Sequence, residues 1–172
     1  MKKSKVIAIS GIATAFSVLL LSIGAYFPTF DLSALFMASL VVMLPLSKKS
    51  YLGAVITTIA SSILTLIIAG FRYQIVIPFA LFFGLHPIVN YFQASTNKFN
   101  KWIFLIVKDV WFVLVLVLMQ KLSEVLIIDI ESIKRFVYPI LIVGGAIGFI
   151  VYDFLMQRFQ NYIDLIIKRL KL

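Results

Sequence analysis

The chain has 172 residues, of which 62% are hydrophobic and 13% charged, with a net charge of +9. Apolar stretches this frequent exclude an ordinary soluble domain, and the length leaves room for one membrane bundle and no second domain. Cysteine is absent, which excludes disulfides, thiolate metal sites and cysteine nucleophiles; the positive charge does not signal nucleic acid, because the basic residues gather at the ends of the apolar stretches.

The first stretch, 6–27, follows Lys2, Lys3 and Lys5. About 20 such residues cross the hydrocarbon core as a helix. At helical spacing Ser4, Ala8, Gly11, Ala15, Val18, Ser22 and Ala25 share one face of little bulk. In lipid, small residues let a second backbone approach closely. Ala8, Gly11 and Ala15 are therefore docking candidates, either within the bundle or on another protein. Ser22-Ile23-Gly24 loosely matches a signal cleavage site, but the run is long for a signal and further spans follow.

After a turn at Pro28, the second stretch, 32–46, is short for a span, which predicts a tilted or shallow helix. Lys48 and Lys49 close it. The third, 51–69, carries another small face at Gly53, Thr57, Ala60 and Ser61. The fourth, 75–92, contains Pro78 and Pro87; the missing donor predicts a kink near Pro87. A polar loop at 93–101 leads to the fifth stretch, 102–122. Residues 121–135 are amphipathic, and either extend that helix or lie at the interface. The sixth stretch, 136–157, includes Gly144, Gly145 and Gly148, and a basic amphipathic end follows at 161–172. The expected fold is all-α: one domain, 1–172, of six transmembrane helices.

Six spans put both termini on one side. Lys2, Lys3, Lys5, Lys48, Lys49, Lys98, Lys101, Arg158, Lys168, Arg169 and Lys171 share that side, eleven basic residues against four (Arg72, Lys121, Lys134 and Arg135) on the other. The bias places the termini in the cytoplasm of a bacterial cell membrane.

Ionisable groups inside spans are costly and are functional candidates by default. Here they are His86, Lys108, Asp109 and Asp153, with Asn90 one turn from His86. Lys108 lies about 10 Å in from Lys101, and Asp153 about 7–8 Å in from Arg158, at the helical rise per residue. The matched depths allow a Lys108–Asp153 pair. Three readings stay open for this network: glue for the bundle, a proton or ion relay, and coupling at a partner interface.

At the other end Tyr26, Asp31, Arg72, Tyr73, Gln74, Lys121, Glu124 and Tyr138 cluster near the turns. Such a set fits a small-molecule pocket, and equally an aromatic belt with solvated loop charges. No HExxH, GxSxG, P-loop or GxGxxG is present, and the only histidine has no nucleophile beside it. The chain reads as a non-enzyme without cofactor or metal.

The layout resembles the substrate-binding S components of energy-coupling factor (ECF) vitamin transporters. The residues that carry this are the basic start, Gly11-Ile12-Ala13-Thr14-Ala15 in the place of an Ala-x-x-x-Ala-like motif, and a last helix with Gly144, Gly148 and Asp153. The resemblance implies a small-molecule ligand of vitamin type taken from outside. It also implies docking through the first helix onto a transmembrane coupling subunit with two ATPase subunits. The chain has no ATP site of its own, so active uptake requires such a partner. Two other readings remain: a six-span scaffold, similar to the rod-shape protein MreD, that binds membrane proteins, and a small proton-coupled carrier.

Overall fold

The computed structural model describes residues 3–96, 100–123 and 136–169. Lys98, Glu124, Asp129, Glu131, Lys134 and Arg135 lie outside them, so the expected amphipathic run at 121–135 is described only at its start. The helices are α1 (Lys3–Tyr26), α2 (Asp31–Ser47), α3 (Tyr51–Ile68), α4 (Tyr73–Pro78), α5 (His86–Ser95), α6 (Lys101–Ser123) and α7 (Val137–Arg169). A 3-10 turn, Pro28–Phe30, precedes α2, and a π-helical segment, Phe79–Phe83, joins α4 towards α5. Counting α4 to α5 as one passage, six helical segments are long and apolar enough to cross a membrane.

The second passage is longer than its apolar core suggests. The turn at Pro28–Phe30 stacks onto α2, and the candidate span becomes Pro28–Ser47. α2 stands at the centre: α1, α3, α5 and α7 all pack on it. The sixth passage and the basic end as far as Arg169 are a single helix of 33 residues. At the helical rise that is about 50 Å, well beyond a hydrocarbon core of about 30 Å.

The fourth passage is broken, but upstream of the expected kink. Pro87 has no N–H for the carbonyl four residues back, which is Phe83. Ser39 of α2 supplies the missing donor, its Oγ lying 2.6 Å from Phe83 O. Ile88 N turns to Leu85 O, and the carbonyl of Gly84 is capped by Thr58 Oγ1 of α3 at 3.0 Å. Irregular backbone survives at membrane depth only where protein groups satisfy it, and two hydroxyls do so here. A β-carbon on Gly84 would press into the Thr58 methyl, which explains glycine at that position. The break brings Phe82 into the core, with ring centroids 5.1 Å from His86, 5.0 Å from Trp111 and 4.8 Å from Phe112.

α1 uses one of its two small faces. Ser10, Ala13, Ser17, Leu21 and Gly24 are buried, while Ala8, Gly11 and Ala15 are exposed. The buried face meets α3, where Thr57 Oγ1 reaches Ser10 O at 3.3 Å and Ser61 Oγ reaches Thr14 O at 3.4 Å. A β-carbon at Gly53 would stand 2.6 Å from Ser10 Oγ, so the two backbones approach as closely as glycine permits.

Candidate functional site

The buried charges form a cluster across three helices. α5 presents His86 and Asn90 one turn apart, α6 presents Lys108, and α7 presents Asp153. Lys108 Nζ lies 2.6 Å from Asp153 Oδ1 and 2.7 Å from Asn90 Oδ1. His86 Nε2 lies 2.9 Å from the same Asp153 oxygen, and Gln157 Nε2 donates to Asp153 Oδ2 at 2.9 Å. An ionised Asp153 only accepts, so His86 carries its hydrogen on Nε2. His86 is 0%, Lys108 1% and Asp153 3% exposed. Charges this deep persist only when paired and fully hydrogen-bonded, and Asp153 receives donors on both oxygens.

Asp109 stands apart from this cluster and corrects the expected network. It follows Lys108 by one residue, a turn of about 100° around a helix of 3.6 residues per turn, so the two side chains cannot face α7 together. Its Oδ1 is buried with no hydrogen-bond partner among the described residues. Gln157 joins the cluster although it is not among the expected residues; its spacing of four from Asp153 signals a shared helix face. Ser39 and Tyr152 are likewise additions that only the packing of α2 on α7 reveals. Ser39 gives its one hydrogen to Phe83 O, so the Tyr152 hydroxyl, 2.9 Å away, donates to Ser39.

The opposite end holds a cavity of about 360 Å³ lined by Gly24, Ala25, Pro28, Asp31, Arg72, Gln74 and Ile75. Local structure places Arg72 there. α3 ends in a Schellman turn: Phe71 N donates to Leu66 O at 2.7 Å and Gly70 N to Ile67 O at 3.3 Å, with Gly70 at φ 63°. The chain then reverses, and Arg72 Nη1 caps the end of α1 at Ala25 O, 2.6 Å away. Its guanidinium lies 5.0 Å from the Tyr26 ring centroid. Asp31, Arg72 and Gln74 thus share one cavity, with Tyr26 against it. Tyr73 turns instead toward α6, its hydroxyl 3.4 Å from Leu122 O, and Tyr138 is exposed at the start of α7. Neither lines the cavity, and Glu124 lies outside the described residues.

Two further hollows are present. An apolar cleft of about 660 Å³ lies between α2, α6 and α7, where β-carbons at Gly144 and Gly148 would meet open space. At the end that carries Lys48 and Lys101, a cavity of about 380 Å³ rich in amide side chains is lined by α5, Thr96, Lys101 at the start of α6, and α7. No group of histidines and acids able to hold a metal is found among the described residues.

Helix length and hydropathy define a multi-pass α-helical membrane protein. Comparison with family models, with curated proteins and with solved structures finds no match.

Proposed function

We propose that this chain is a membrane-embedded binding subunit for a small, vitamin-like solute. Its basic end lies in the cytoplasm, and an ATP-driven coupling module of the ECF type energises uptake. The observation that carries the reading is the cavity at the opposite end, where Arg72, Asp31 and Gln74 converge. One donor of Arg72 is used at Ala25, which fixes the guanidinium and leaves its other donors for an anionic group on the ligand. Preformed clefts of a few hundred Å³ with few fixed polar groups are the usual form of small-ligand sites. The open Ala8, Gly11 and Ala15 face supports the partner half of the reading, because nothing among the described residues covers it. The subunit binds and does not catalyse.

Native mass spectrometry of gently purified protein tests this. Wild type should carry a bound small molecule, and Arg72→Ala should lose it while the helical content stays unchanged. Wild type that carries no small molecule from vitamin-replete cells, and brings down cell-wall membrane proteins instead, would replace this reading with the scaffold one.

A further inference from the structure

We infer that the amide-rich cavity at the basic end is a one-sided water inlet that reaches the Lys108–Asp153 pair and stops there. The cavity is lined by Asn90, Gln93, Lys101, Gln157, Gln160 and Asn161, among others, and holds about 380 Å³. Two of these residues also touch the buried pair. Asn90 accepts from Lys108, and Gln157 donates to Asp153. Each cavity wall is therefore one hydrogen bond from a charge that is almost fully enclosed.

The amides leave polar atoms facing no protein partner. Lysine only donates, so Lys108 fixes the Asn90 oxygen toward itself and turns Nδ2 away. Gln160 donates its nitrogen to Asp164 Oδ1 at 2.9 Å, and its oxygen is left over. Asn90 Nδ2, Gln93 Oε1 and Gln160 Oε1 are all buried with no partner among the described residues, while Asn90 as a whole is only 8% exposed. A buried polar atom without a partner costs about 1–3 kcal/mol. All three belong to residues that line this roomy space, and unpartnered polar groups beside such a space are the conditions under which ordered water fills it.

Beyond the pair the path is closed. Phe82, His86, Phe149 and Tyr152 pack together, with His86 ring centroids 4.8 Å from Tyr152 and 5.7 Å from Phe149. Phe82 and Phe149 are wholly buried. Water, and the protons it carries, reach Asp153 and Lys108 from the basic end alone. The titratable groups along this route are His86 and Tyr91 on α5, Lys101 and Lys108 on α6, Tyr152, Asp153 and Asp164 on α7, and Tyr51 of α3, whose ring packs on Tyr91. The inlet shares no residue with the Arg72 cavity, so the two proposals stand or fall separately.

The absence of cysteine makes the test direct, because any introduced thiol is the only one. Gln157→Cys and Gln93→Cys probe the inlet; Ser39→Cys and Val115→Cys, the latter buried on α6 seven residues past Lys108, probe the far side of the plug. Each full-length variant is placed in vesicles of known sidedness and treated with a small, charged, membrane-impermeant methanethiosulfonate. Only a hydrated thiol ionises and reacts. The inlet thiols should react from the basic side at least roughly tenfold faster than those beyond the plug, since a thiol shut away from water keeps a raised pKa. Gln93→Cys, whose side chain holds no hydrogen bond in the cluster, keeps the test valid if Gln157→Cys misfolds; its companion readout is protection of the Asn90 side-chain amide from deuterium exchange, which should be absent. Equal reaction at Val115→Cys, reaction from both sides, or unreactive inlet thiols with a protected Asn90 amide would overturn the inference.

Discussion

Two seams hold this bundle by opposite means. Where α1 meets α3 the contact is made of Ser10, Gly53, Thr57 and Ser61, small groups that exchange hydroxyl bonds with backbone and carry no charge. Where α5, α6 and α7 meet, one carboxylate gathers a lysine, a histidine and a glutamine inside an aromatic shell. The first seam depends on closeness. Any added atom is a steric fault, yet no single removal leaves a charge behind. The second depends on pairing. Its charges are tolerated because Lys108 and Asp153 hold each other, and removing one strands the other.

The largest expected effect follows from stranding Lys108. Asp153→Ala should cost about 3–5 kcal/mol of bundle stability, read as a lower melting temperature in detergent. Adding Lys108→Met should recover much of that loss, since both charges then disappear. A double-mutant cycle measures the coupling. Additive losses would mean that the α5–α6–α7 seam is held by its aromatics and that the contrast with α1–α3 is false.

A smaller loss is expected at the close seam. Gly53→Leu forces α1 and α3 apart and should cost about 1–3 kcal/mol, as overpacking does in other interiors. The same melting assay checks it, and a neutral result would show that the seam has slack. The smallest effect belongs to the other face of α1. A β-carbon at Gly11 meets nothing within 4 Å, so Gly11→Leu should change stability by less than about 0.5 kcal/mol. If the open face docks a coupling subunit, this variant loses co-purification of that subunit while its melting temperature is unchanged. A large drop in melting would place the face inside the bundle.

The six passages were legible because hydropathy over about 20 residues reports directly on partition into lipid. Matched depths of Lys108 and Asp153 were legible too, since the helical rise converts sequence distance into height. Pro87 announced a break, but the affected carbonyl lies four residues upstream, and the distortion runs through Phe79–Phe83 to Gly84. Its repair by Ser39 and Thr58 was hidden, because both belong to other helices.

What composition and spacing determined alone is the class: an all-α chain whose apolar runs must cross a membrane and whose buried charges need partners. Those results follow from solvation, which acts residue by residue. Tertiary structure decided everything that depends on rotation and facing. Lys108 points to α7 and Asp109 does not, although the two are adjacent. α1 offers two small faces, and the bundle buries the one at Ser10, Ala13 and Ser17. Arg72, Asp31 and Gln74 reach one cavity while Tyr73 and Tyr138 turn elsewhere. A helix fixes the height of each side chain through local geometry, but its rotation is set by the neighbours it packs against, and these lie far away in the chain.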